Sequence, residues 1–194
     1  MRTRRLSGAV RWLGSHLSAP TLYLVRHPPV AVPSGFCYGR SDVPLAAPVA
    51  PIAADLLTRL PPEFRVLSSP LSRCLQLAQA LGDAQVDADL MEIDFGRWEM
   101  RHWDTIGREA LDAWAAAPLD YREHGGESVR QMAARTQAAL QRARAEATLP
   151  LVIVSHAGPL RAMTGLLRDL PATEWLQWPV AHAPALQEFP ADIR

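Results

Sequence analysis

Three apolar runs constrain this chain more than anything else in it: "TLYLV" at 21–25, "FRVLSS" at 64–69 and "PLVIVS" at 150–155. None alternates apolar with polar residues, so each reads as a strand buried on both faces. Helical patterns separate them. "APVAPIAADLLTRL" spaces Ile52, Leu56, Leu57 and Leu60 on one face and stops at Pro61-Pro62. "LSRCLQLAQALG" follows Pro70 and closes on Gly82. "ESVRQMAARTQAALQRARAEA" opens with Ser128 and Gln131 in capping-box spacing, with Val129, Met132, Ala133, Thr136 and Leu140 as its buried stripe. "PLRAMTGLLRDL" is the helix behind the third strand. "WDTIGREALDAWAAA" reads as one short helix before Pro118, "VDADLMEIDFGRWEM" as a short strand and a loop, and "ALQEF" as a last strand. Strands alternating with helices predict a three-layer α/β/α domain around a mostly parallel sheet.

A length of 194 residues suits one domain, taken here as residues 21–194. Residues 1–20 are basic, carry no acid and precede the first strand; they read as a poorly ordered extension. "TRRLS" has a twin-arginine look, but Arg11 and His16 interrupt the apolar stretch an export signal needs. No apolar run reaches the roughly 18 residues that cross a bilayer. Twenty basic and twenty acidic residues cancel, so neither nucleic acid nor an anionic membrane is expected as a partner. Cys37 and Cys74 match no zinc spacing and make no disulfide framework, which predicts reduced thiols and a cytoplasmic location. A monomer or homodimer is expected.

Each of the three strands ends in polar residues that a core would not choose: Arg26-His27, then Ser68-Ser69 with Arg73 a helical turn later, then Ser155-His156 before Ala157-Gly158. Ligands of open α/β sheets bind outside the carboxyl ends of strands. If the three strands are neighbours, two histidines and two arginines converge beside helix N-termini, a set that repels itself until an anion completes it. Every basic residue in the chain is Arg, with no Lys anywhere, and Arg grips phosphate bidentately. Singly, a histidine at a strand end is usually structural; the repetition at three ends is what points to a phosphate. For an acid, the residues alone leave Asp89, Glu92, Asp94 and Glu99 open.

"LVRHP", "SSPLSRC", "EIDFGRWE", "HGGESV" and "VSHAG", in this order between Thr21 and about Leu170, resemble the histidine phosphatase, or phosphoglycerate mutase-like, superfamily. "CYGRSD", "EIDFGRWEMRHWD" and "LDAWAAAPLDYREHGGESV" look most like its bacterial alpha-ribazole phosphatases. The resemblance implies a phosphoglycerate mutase-like fold and a phosphomonoesterase that needs neither metal nor cofactor. It implies His27 as the nucleophile that becomes phosphohistidine, and Arg26, Arg73 and His156 as ligands of the phosphoryl oxygens. It implies Glu92 as the acid that protonates the leaving alkoxide. Such a nucleophile has to be neutral at the attacking nitrogen.

Gly39 and Arg40 look like the next turn of the phosphate loop, with Arg40 expected to touch substrate. The sequence departs from the family in Pro28-Pro29, where Gly is usual after the histidine, in a missing downstream Asn, and in Met100 after Glu99. The substrate implied is alpha-ribazole 5′-phosphate or adenosylcobalamin 5′-phosphate. The alternatives are a broad-specificity histidine phosphatase, a phosphoglycerate mutase-like enzyme and, remotely, a non-catalytic binder of a phosphorylated ligand. Trp98, Trp103 and Trp114 read more readily as core than as a surface for a substrate ring, and His182 as a satisfied histidine without a role.

Overall fold

The structure, a computed structural model, describes residues 20–191. The expectation for residues 1–20 therefore lies, apart from Pro20, outside the described residues. Among the described residues the strands are β1 (Leu22–Arg26), β2 (Phe36–Cys37), β3 (Arg65–Ser68), β4 (Ala84–Val86), β5 (Arg101–His102), β6 (Leu151–Ser155) and β7 (Gln187–Phe189). The helices are α1 (Ala50–Leu57), α2 (Ser72–Leu81), α3 (Arg108–Ala116), α4 (Val129–Glu146), α5 (Ala157–Leu167) and α6 (Ala172–Trp175).

The main sheet runs β4-β3-β6-β1-β7. Its first four members are parallel, and β7 returns antiparallel along β1. The three apolar runs are thus adjacent, with β6 between β3 and β1. Successive side chains point to opposite faces, and both faces are covered. Leu22, Leu24, Leu67, Leu151 and Ile153 pack under α4 and α5, while Tyr23, Val25, Val66, Val152 and Val154 pack under α1 and α2. That double burial is why the strands carry no polar alternation, and it makes the expected three-layer α/β/α domain.

In α4 the expected stripe is buried, and both bonds of the Ser128–Gln131 capping box form. Two expectations need correction. The segment from Trp103 to Ala116 is not one helix: a 3₁₀ turn at Trp103–Thr105 is cut off by Gly107 at φ 97°, and α3 starts after it. The short strand placed in Val86–Met100 ends at Val86, and the rest is 3₁₀ turns and loop. The two-residue pair β2/β5, which ties the Phe36–Arg40 loop to the Arg101–His102 loop, went unpredicted. Of the three tryptophans only Trp98 is core, buried against Tyr121; Trp103 and Trp114 are half-buried beside it and stack on each other at 6.1 Å.

Candidate active site

The register of the sheet sets the rim. Arg26 lies opposite Ser155, and the His27 amide donates to the Ser155 carbonyl at 3.0 Å, so the ends of β1 and β6 are level. Across β6, the Ser69 amide donates to Val154 O. His27, Ser69, Arg73 and His156 are all buried at this rim, and the rings of His27 and His156 stand 5.2 Å apart.

Hydrogen bonds fix which nitrogens carry protons. His27 Nδ1–H donates to the Pro28 carbonyl at 2.7 Å, which leaves Nε2 with its lone pair. Burial, reinforced by Arg73, Arg26 and His182, overcomes the opposing effect of the Pro28 bond and pushes the His27 pKa down to about 3. Arg73 Nε donates to His156 Nδ1 at 3.2 Å, so His156 carries its proton on Nε2 and donates it to Ser69 Oγ at 2.8 Å. Burial first, then Arg73 and His27, hold His156 well below its ordinary value. At neutral pH both imidazoles are therefore uncharged.

Of the four N–H groups on NH1 and NH2 of Arg73, one each reaches Ser41 O and Gly39 O, both at 2.7 Å, and its guanidinium lies over the Tyr38 ring. Gly39 has φ +35°, and a Cβ there would strike Glu99 Oε1, so only glycine brings this carbonyl to Arg73. Arg26 donates through NH1 to Val180 O at 2.9 Å. Its Nε is the one buried side-chain nitrogen or oxygen without a hydrogen-bond partner among the described residues. Such an orphan in an otherwise satisfied interior is unusual.

The four candidate carboxylates separate by their surroundings. Asp89 pairs with Arg142, and Asp94 caps the turn at Gly96. Glu99 accepts from the amides of Arg40, Ser41 and Phe95 and braces that loop. Glu92 alone of the four reaches the start of α5, where Gly158 N–H donates to its carboxylate at 3.1 and 3.3 Å. A side chain on Gly158 would collide with Glu92 Oε1, so the glycine makes room for the acid.

Arg40 turns its Nε to Glu92 O and its NH2 to Glu127. His182, set aside on sequence grounds, packs edge-on at 5.1 Å from the His27 ring and donates from Nδ1 to His27 O at 2.8 Å. Arg135 and Glu127 also serve the Glu92 segment. Their only sequence signal was a motif position for Glu127, because charges near the start of a helix ordinarily face water. Cys37 and Cys74 are free and buried; burial pushes the Cys37 thiol up to about 12 and raises Cys74 as well.

Comparisons with known proteins agree with this fold. A glucosyl-3-phosphoglycerate phosphatase of Mycolicibacterium vanbaalenii is 32% identical over 63% of this chain and 61% of its own length. The chain thus spans about three fifths of that relative. An adenosylcobalamin/alpha-ribazole phosphatase of Salmonella typhimurium is 31% identical over 78% of this chain and 81% of its own. The solved alpha-ribazole phosphatase of Shigella flexneri superposes with a TM-score of 0.71 at 26% identity, covering 84% of this chain and 86% of that one. The model of the histidine phosphatase superfamily (branch 1) matches residues 22–188. From Leu22 to Glu188, then, the chain belongs to the histidine phosphatase superfamily.

Proposed function

We propose that the protein is a metal-independent phosphomonoesterase that works through a phosphohistidine at His27, with alpha-ribazole 5′-phosphate or adenosylcobalamin 5′-phosphate as its substrate. The observation that carries the chemistry is the neutral, buried His27, its Nδ1 proton held by Pro28 O, beside an Arg26 whose Nε lacks a partner. In the first step the Nε2 lone pair bonds to phosphorus as the phosphorus–oxygen ester bond breaks, and Glu92 gives its proton to the departing alkoxide. Arg26, Arg73 and His156, whose Nε2–H turns from Ser69 Oγ to the phosphoryl group, hold the three outer oxygens, where charge concentrates. Water then attacks phosphorus, Glu92 takes its proton, the phosphorus–nitrogen bond breaks and His27 returns to its neutral form. Gly39 serves through its carbonyl on Arg73, and Arg40 borders the substrate beside Glu92.

The substrate assignment draws on the likeness to the Salmonella phosphatase, of which the chain covers 81%. The alternative, a phosphatase of a phosphoglycerate-type ester, draws on the mycobacterial relative of shorter coverage. The buried free thiols favour a cytoplasmic location, and no helix of the described residues is long and apolar enough to cross a membrane.

The deciding experiment measures kcat/KM in EDTA for alpha-ribazole 5′-phosphate, 3-phosphoglycerate and several sugar and nucleotide phosphates. A preference of a hundredfold, about 2.7 kcal/mol of transition-state discrimination, is expected for alpha-ribazole phosphate. Equal rates on all would reduce the enzyme to a general phosphatase, and a requirement for added metal would end the mechanism.

A further inference from the structure

Glu92 sits where no regular structure holds it, between a 3₁₀ turn at Ala88–Leu90 and another at Gly96–Trp98. A proton donor works only within a narrow range of positions, so something other than a strand or helix has to fix this backbone. The five N–H donors of Arg135 supply it. NH1 donates to Asp89 O and Met91 O, each at 2.7 Å, and NH2 donates to Glu92 O at 3.0 Å. The remaining edge, Nε and NH2, grips both carboxylate oxygens of Glu127 at 2.8 Å. Every donor of the guanidinium is used, and three of the five hold carbonyls of the four residues that end in Glu92. Arg40 adds a second bond to Glu92 O at 3.2 Å and a second cation on Glu127 at 3.3 Å.

Both members of the Arg135–Glu127 pair are only 14% exposed. An ion pair so buried is a poor source of net stability, because desolvation offsets most of the attraction. Its fixed planar fork is a good source of geometry. The pair also stands on the stiffest mount nearby, since Glu127 immediately precedes the capped N-terminus of α4 and Arg135 lies on that helix.

We propose that Glu127 and Arg135, assisted by Arg40, are positioning residues for proton transfer by Glu92: they mount the acid on α4 and set its reach to the leaving oxygen. The inference rests on the reading of Glu92 as the acid. It goes beyond that reading by giving a defined kinetic role to Glu127 and Arg135, to which the proposed mechanism assigns no contact with phosphate or leaving group.

The test compares Arg135→Lys, Glu127→Gln and Glu92→Gln on 4-nitrophenyl phosphate, whose leaving group needs no proton, and on an alkyl phosphate, whose leaving group does. Orthovanadate inhibition reports on the phosphoryl pocket. Arg135→Lys keeps the charge but has three donors for five acceptors; Glu127→Gln keeps the shape and loosens the fork, so one of the two serves if the other folds poorly. The expected result is a loss in kcat/KM at least about tenfold larger on the alkyl ester than on the nitrophenyl ester for both variants. Vanadate inhibition should stay within about twofold of the unmodified protein. Equal losses on the two esters, or none on the alkyl ester, while Glu92→Gln does discriminate, would overturn the positioning role. If Glu92→Gln itself slows both esters equally, what fails is the assignment of Glu92 as the acid.

Discussion

His27 and Glu92, the nucleophile and the acid of the proposed mechanism, meet at one rim but are held by different means. His27 extends β1, between the Ser155 carbonyl on one side and His182 on the other, and its ring is pinned by Pro28 O. Backbone hydrogen bonds, repeated along a buried sheet, decide where it stands. Glu92 has no sheet beside it. Its backbone hangs from side-chain guanidiniums of Arg135 and Arg40, and its carboxylate rests on a single amide, Gly158 N–H, besides that of its own neighbour Ile93. The contrast teaches that a strand-end group is insensitive to any one distant side chain, whereas the acid depends on a few named ones.

The largest effect should come from the stiff side. His27→Ala removes the attacking nitrogen and should lower turnover by roughly 10⁴-fold or more, with no acid-labile phosphoenzyme trapped on denaturation. Substantial residual turnover would take the nucleophile away from the strand end and undo the comparison. Glu92→Gln should cost about 10²–10³-fold on alkyl phosphates and far less on nitrophenyl phosphate, with phosphate affinity retained; a uniform loss would make Glu92 part of the pocket wall.

Gly158→Ala sharpens the contrast further. The added methyl strikes only the flexible end of Glu92 among its nearest neighbours, and Met132 Cε lies at an ordinary 3.4 Å. Gly158 lies in the first turn of α5 directly before Pro159, where a Cβ meets the proline ring, so alanine gains little of the roughly 1 kcal/mol it holds over glycine in a helix interior. The melting temperature should therefore change little while activity on alkyl phosphates falls about tenfold, a split that thermal melts and kinetics on one preparation would reveal. Loss of both together would mean that Gly158 serves the fold.

A separate effect, read on stability rather than turnover, concerns acid. His27, His156, His124 and His182 all have depressed pKa values in the fold, each with burial as the largest cause. Their stabilising contribution is complete above the unfolded value of 6.5 and is lost as pH falls towards about 3, because the unfolded chain binds the protons first. Melting temperatures measured from pH 8 to pH 4 should be flat at the top and decline below about 6.5. A flat profile down to pH 4 would show that these histidines are protonated in the folded protein.

The same division governs what could be read from residues alone. Parallel strands buried on both faces announce themselves as unbroken apolar runs, and their polar ends stand out against them; hence Arg26, His27, Arg73 and His156 could be singled out before any coordinates. α4 was equally plain, since its cap and stripe are local signals. The acid side has no such period. Residues 87–106 are turns and a two-residue strand, where identity is set by partners far away in sequence. Four carboxylates in that stretch look alike until Gly158 N–H selects one of them. Arg135 carries no signal in the sequence, because only the loop folded over it turns its five donors inward. His182 was missed for the same reason, as its partner is the carbonyl of His27.

The antiparallel return of β7 has a consequence for how the molecule comes to be made. β1 is the first strand of the sheet to leave the ribosome, yet its two neighbours are residues 151–155 and 187–189. The strand that ends in Arg26 and His27 must wait for about three quarters of the described chain before its first edge is satisfied, and for nearly all of it before the second. Pairings of such sequence separation close late and slowly. The segment that finishes the fold also delivers His182 to the His27 carbonyl, so completion of the sheet and completion of the nucleophile's mount are the same event.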